Sequence, residues 1–153
     1  LTFLRSYHLS CSVRYATTEP FPVPESLVSA LNFKDLLSEP DSSVFFADIH
    51  QAQWEAEVAL SDFFTLYKTP IQHFPAGQLF DLVYFDAFAP AKQPDMWEVS
   101  VLEKVASLMA GGGVLVTYCS QGQFKRNLRS VGLEVEALPG PKGKREMTRA
   151  FKK

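Results

Sequence analysis

Cysteine and histidine are scarce in this chain, and neither is spaced for chemistry. Cys11 and Cys119 are too few and too far apart for a disulfide framework or a thiolate metal site. Reduced thiols in a cytoplasmic protein are the expected reading. His8, His50 and His73 show no ligand spacing either, so no metal is expected. No apolar run approaches the length of a membrane span. The opening residues, Leu1 to Tyr7, enclose Arg5 and do not form a signal peptide. Internal repeats and low-complexity segments are absent. Also missing is a glycine-rich turn between a first strand and a helix, with which a doubly wound nucleotide-binding domain opens. Leu1 stands where an initiator Met would, and Leu1 to His8 reads as the tail of such a helix.

What is present suits one compact domain over residues 1–153, with 46% hydrophobic and 13% aromatic content to fill a core. The formal net charge of −2 hides an asymmetry. Residues 1–91 carry 4 Lys+Arg against 11 Asp+Glu, whereas residues 92–153 carry 11 against 6. The basic excess follows Gln123, at positions that include Lys125, Arg126, Arg129, Lys142, Lys144 and Arg145. A one-ended basic surface suits a polyanion, because neutralising phosphates releases counterions. The same run also reads as a solvated helix face followed by a charged terminus.

The stretch LFDLVYFDAFAPAKQPDMWE, Leu79 to Glu98, carries the strongest signal. Phe80 to Phe85 is an apolar run of the kind that forms a central parallel strand buried on both faces. Asp86 ends it, and Pro90 and Pro94 forbid its continuation. Ligands of open α/β sheets bind beyond the carboxyl ends of the strands, which makes Asp86 the first catalytic candidate. A capping or bracing role for Asp86 fits the pattern equally well.

Along the rest of the chain, Ser12 to Thr18 reads as a strand ending at Glu19, the place where an acidic residue accepts from ribose hydroxyls. Pro24 opens a helix of about a dozen residues, with Leu27, Val28, Leu31 and Leu37 as its apolar stripe. Val44 to Trp54 reads as a short helix or turn. Glu57 to Leu60 and Phe63 to Lys68 form a hairpin around Ser61 and Asp62. Asp95 is placed to cap a helix running to Met109, closed by Gly111 to Gly113 as C-cap and turn before a strand at Val114 to Tyr118. Ser120 to Val131 reads as a helix with Phe124, Leu128 and Val131 inward and Lys125, Arg126 and Arg129 outward. Leu133 to Leu138 and Met147 to Lys152 are an antiparallel closing pair. GPKGKRE lacks Walker spacing.

The strings FDAFAPAKQPDMW and GKREM, within a stretch from about Val13 to Lys152, resemble the MnmC-like tRNA (5-methylaminomethyl-2-thiouridylate) methyltransferase domain family, stand-alone type. The resemblance implies an α/β, Rossmann-like class I S-adenosylmethionine-dependent methyltransferase sheet with an antiparallel C-terminal strand pair. The family's first strand and glycine loop lie upstream of Leu1, so the chain is expected to be the C-terminal portion of a longer domain. S-adenosyl-L-methionine is the implied cofactor, with Glu19, Gln72, Asp86 and Ala87 toward it. Gln72 stands where many such enzymes have an acid for the adenine amine, and Asp62 is the alternative in another register.

Asp86 is the implied catalytic group, and the implied substrate is the tRNA anticodon loop. Phe88, Pro90, Lys92 and Tyr118 belong to the substrate pocket, with loop or core packing as the alternative for Phe88 and Tyr118. Lys125, Arg126, Lys144 and Arg145 face RNA, and Glu146 either joins them or pairs with Arg145. An oxidoreductase, fused or separate, is a possible partner. Two other functions remain open: a non-catalytic RNA-binding fragment, and an α/β oxidoreductase or a class I methyltransferase acting on a small molecule.

Overall fold

The computed structural model describes residues 13–21, 23–32, 42–62 and 64–153. The chain forms two compact units, Leu1–Phe74 and Pro75–Lys153. In the first, β1 (Tyr15–Thr18) lies parallel to β3 (Phe64–Tyr67), and β2 (Glu57–Ser61) pairs antiparallel with β3 as the expected hairpin. β2 runs one residue further than expected: Ser61 still pairs with Phe64, across a register shift that follows Ala59. Phe64, Leu66 and Tyr67 are buried, and Tyr67 packs on Phe74 with ring centroids 4.3 Å apart.

Helix α1 (Glu25–Ala30) is half the expected length and buries none of its residues. The backbone leaves the helix at Leu31 (ψ 136°), and Leu27 is exposed, so an apolar spacing did not guarantee a buried stripe. Leu37, the fourth residue of that stripe, lies outside the described residues, as does the proposed helical tail at Leu1 to His8. Helix α2 (Ser42–Gln51) is a full ten-residue helix. Lys68 closes its end: Nζ donates to the carbonyls of His50 (2.8 Å) and Ala52 (2.7 Å) and lies 5.0 Å from the Trp54 ring centroid. Cations favour this end of a helix. Burial of Lys68 lowers its pKa.

The second unit is a four-stranded sheet in the order β4-β5-β7-β6, where β4 is Phe80–Tyr84, β5 Met109–Thr117, β6 Leu133–Pro139 and β7 Glu146–Lys152. β4 and β5 are parallel, and the last two strands are antiparallel as expected. Among the described residues, however, β4 lies at one edge of this sheet, with Leu82 and Tyr84 exposed. An apolar run reports β propensity; the covering of both faces is decided by neighbours elsewhere in the chain.

The segment after the Asp86 loop begins with a 3₁₀ turn, Pro94–Trp97, and α3 (Val99–Ser107) starts only after Glu98, whose extended backbone (ψ 152°) separates the two. Asp95 therefore does not cap α3, and Glu98 occupies the N-cap without a side-chain bond. The three glycines also depart from expectation, because Gly111 to Gly113 lie inside β5. The β4–β5 register shifts there, between Phe80 and Leu82, and Gly112 takes φ +78°. A Cβ on Gly113 would meet Ala110 O at 2.8 Å and Phe80 O at 3.0 Å, so the bulge requires its absence. Met109, expected at the helix end, begins β5 and is fully buried.

Helix α4 (Gly122–Ser130) sends Phe124 and Leu128 into the core, while Val131 is only half-buried. Lys152 ties β7 to the end of α3, donating to Ala106 O and Met109 O at 2.8 Å each.

Candidate functional site

The second unit gathers several of the candidate residues at the carboxyl edge of its parallel strands. Tyr84 pairs with Val116, and Phe85 N–H donates to Val116 O at 2.9 Å. Asp86 and Tyr118 lie two residues beyond Tyr84 and Val116, past the carboxyl ends of these two paired strands. Asp86 is exposed, Ala87 and Pro90 are half-buried and Lys92 is exposed.

The loop is pinned from within. Phe85 is buried against Trp97 (edge-on, 5.2 Å between centroids) and Phe124 (6.2 Å), and Trp97 meets Phe124 edge-on at 4.9 Å. Phe88 N–H donates to Gln93 Oε1 (3.3 Å), and Trp97 Nε1–H donates to Phe88 O (2.9 Å). Lys92 and Gln93 both donate their backbone N–H to Ala89 O. The Phe88 ring points away from this scaffold, 73% exposed, so loop packing does not account for it.

Tyr118 is half exposed, which removes the core reading, and Lys144 Nζ lies 4.8 Å from its ring centroid. Lys144 reaches it from a tight return between β6 and β7. Gly140 N–H donates to Arg145 O, and Lys144 N–H to Pro141 O. A Cβ on Gly140 would lie 2.5 Å from Lys144 O, so the return depends on glycine there. Arg145 is exposed.

The basic helix is more engaged than its sequence suggests. Lys125 Nζ meets Glu146 Oε1 at 2.5 Å, and its side chain is only 15% exposed. Glu146 thus pairs with Lys125, not with Arg145. Arg126 bonds Gln123 Oε1 through Nε and Nη2, and Arg129 bonds the carbonyls of Lys125 and Val135. The Lys125 ammonium holds the Glu146 carboxyl below its ordinary range. Such a carboxyl stabilises the fold above its unfolded pKa of about 4.3, and the contribution is lost as pH falls through the lower folded value. Glu146→Gln should therefore lower the thermal midpoint slightly at neutral pH and make its decline between about pH 5 and pH 3 shallower by a matching amount, small because the pair is part-exposed. Thermal melts across that range check it.

In the first unit, Glu19 follows β1, donates its N–H to Tyr67 O, and accepts from Phe21 N–H on Oε1 at 2.8 Å. It borders a cavity of about 290 Å³ whose lining includes Tyr15, Trp54, Phe64, Leu66 and Lys68. Gln72 is exposed in a 3₁₀ turn, Ile71–His73, after β3; Asp62 is exposed in the β2–β3 turn. Among the described residues no cluster of three His, Cys, Asp or Glu could hold a metal ion. No helix of the described residues is long and apolar enough to cross a membrane.

Sequence reasoning did not single out Gln93, Trp97 or Lys68. Trp97 and Gln93 stand inside the recognised string and were visible as residue types. Their hydrogen bonds to Phe88 depend on how the loop turns back, which no spacing encodes.

A family model described as S-adenosyl-L-methionine-dependent methyltransferase matches residues 34–153. The chain is 32% identical over 147 residues to the tRNA 5-methylaminomethyl-2-thiouridine biosynthesis bifunctional protein MnmC of Pseudoalteromonas atlantica, covering 89% of this chain and 21% of that protein. It is 43% identical over 68 residues to the protein of the same name from Ralstonia nicotianae, covering 44% of this chain and 10% of that one. The chain thus spans about a fifth or less of these relatives. Among solved structures, MnmC2 from Aquifex aeolicus matches with a TM-score of 0.57 at 21% identity, over 74% of this chain and 38% of that chain. The likeness is one of fold: mixed α/β, class I methyltransferase-like, with antiparallel C-terminal strands. Matched over most of its length by the family model, the chain belongs to the S-adenosyl-L-methionine-dependent methyltransferase family that includes the methyltransferase part of MnmC.

Proposed function

We propose that this chain methylates the primary amine of a 5-aminomethyl group on the wobble uridine of tRNA, a step in 5-methylaminomethyl-2-thiouridine formation. The observation that carries the reading is Asp86, exposed just beyond the carboxyl end of β4, with an outward Phe88 two residues on. In this reading the fold is of the Rossmann-like type, and the glycine-rich loop such folds place after a first strand is not among the 153 residues. S-adenosyl-L-methionine, when bound, supplies an electrophilic methyl group.

The residues of the first unit suit the nucleoside part of that cofactor. Glu19 offers a carboxylate acceptor at a strand end, and aromatic side chains wall the cavity beside it. Gln72 and Ala87 are the further candidates for its contacts. Asp86 orients the substrate amine and accepts its proton, directly or through one water. Phe88 and Tyr118 offer faces to an unpaired base, the form in which an anticodon loop presents one. Lys92, Arg126, Lys144 and Arg145 offer charge to phosphates, whereas Lys125 serves chiefly to hold Glu146. The setting is cytoplasmic, and an oxidoreductase activity, fused or separate, is the expected partner.

Incubation of the polypeptide carrying this chain with tRNA and methyl-labelled cofactor, followed by nucleoside mass analysis, tests the reading. Label on the 5-aminomethyl group of the wobble uridine supports it. Folded protein that binds cofactor but leaves tRNA unlabelled overturns it, as does label only on a small molecule. In the same system, Lys144→Ala with Arg145→Ala should weaken tRNA binding and reduce the slope of log affinity against log salt by about 1 to 2. An unchanged slope would place both side chains off the phosphates.

A further inference from the structure

Phe88 combines two properties that seldom meet: an exposed apolar ring and a backbone held on both sides by side chains. Its N–H is taken by Gln93 Oε1 and its carbonyl by Trp97 Nε1–H. Trp97 is 7% exposed, wedged edge-on against Phe85 and Phe124, and its own carbonyl lies 3.4 Å from Asn127 Nδ2 on α4. The indole thus carries the rigidity of the core out to the loop tip. Gln93 comes back onto Phe88 because its own N–H and that of Lys92 share Ala89 O. A loop held only for its own stability would turn Phe88 inward, since apolar area gains by leaving water. Here the hydrogen bonds spend their geometry on a ring that faces solvent, two residues from Asp86.

We propose that Gln93 and Trp97 are positioning residues that fix the Phe88 ring as a stacking platform for an unpaired nucleobase delivered to Asp86. The inference rests on the function proposed above and adds the elements that set the platform's orientation. Stacking on a ring is productive only when the ring's plane is already set, because a mobile ring must be ordered on binding. Fixing both peptide groups of Phe88 restricts the backbone from which the ring projects, without covering its face.

The test uses the full-length protein carrying this chain, with two readouts: equilibrium binding of an anticodon-loop oligoribonucleotide and steady-state methyl transfer to tRNA. Phe88→Ala should weaken oligonucleotide binding by about 5- to 150-fold, the range of a lost base stack. Trp97→Phe keeps an aromatic ring in the core but removes the N–H donor, and Gln93→Ala removes the acceptor. Each should weaken binding several-fold, with the salt slope unchanged because no phosphate contact is lost. Each should also raise KM for tRNA more than it lowers kcat. Combined with Phe88→Ala, neither should weaken binding further.

Gln93 lies outside the core, so its variants carry the test even if Trp97→Phe fails to fold. Wild-type binding by Gln93→Ala, or losses that multiply with that of Phe88→Ala, overturn the inference alone while wild-type transfer stands. A wild-type protein that neither binds the oligonucleotide nor methylates tRNA overturns the underlying function and this inference with it.

Discussion

Asp86→Asn should lower methyl transfer by about 10²- to 10⁴-fold, the range of a removed general base, while cofactor affinity and thermal midpoint should stay near wild type. The substitution keeps the side chain's shape and leaves one oxygen as a hydrogen-bond acceptor, but it removes the carboxylate that would take the amine's proton. Among the described residues no ion pair engages Asp86. Phe85 before it is anchored by Trp97 and Phe124, and Phe88 after it is anchored by Gln93 and Trp97. The residue itself is exposed, where substitutions usually change stability by less than about 0.5 kcal/mol. Single-turnover assays at saturating cofactor and tRNA, beside calorimetric titration of the cofactor, separate chemistry from binding. Turnover equal to wild type would remove Asp86 from the mechanism and return it to the role of a loop brace.

Leu128→Ala destabilises the second unit by about 2–5 kcal/mol, the cost of deleting a buried leucine side chain whose cavity cannot fully collapse. Leu128 is fully buried on α4, one turn beyond Phe124, which belongs to the aromatic cluster beneath the Asp86 loop. Leu128 secures α4, which contributes Phe124 to that cluster, so methyl transfer should fall at temperatures where the fold still persists. Val99→Ala is the control, because Val99 is 39% exposed at the start of α3 and should cost under about 0.5 kcal/mol. Urea unfolding with an unchanged m-value checks both. A Leu128→Ala midpoint within error of wild type would mean that α4 is not packed as described.

The carboxylate and its loop were legible because prolines act locally. Pro90 and Pro94 forbid strand continuation wherever the rest of the chain lies, so the strand had to end before them, and it ends at Tyr84, two residues short of Asp86. The closing strand pair and the inward face of α4 were legible for a similar reason, being patterns of apolar residues with the periods of a strand and of a helix. The Gly111 to Gly113 stretch misled because glycine permits a C-cap and a bulge equally. The choice fell to β5, whose bulge brings Phe80 O to within 3.0 Å of where a Gly113 Cβ would stand. The basic residues of α4 misled in part as well. Helical spacing places Lys125 outward, but Glu146, distant in sequence, is brought to it by the pairing of β6 with β7.

Composition, prolines and one long string of residues were thus enough to place the chain in an α/β methyltransferase family with a carboxylate just beyond a strand's carboxyl end, since each of these acts through local backbone chemistry or direct likeness. Tertiary structure alone decided that β4 lies, among the described residues, at one edge of its sheet, that Lys125 is spent on Glu146, that Lys144 lies over Tyr118, and that Phe88 faces outward from a loop held by Gln93 and Trp97. Apart from the short turn from Phe88 to Gln93 and Trp97, these are contacts between residues well separated along the chain. They form only when strands and helices have closed the distance between them, and no spacing in the sequence records that closure.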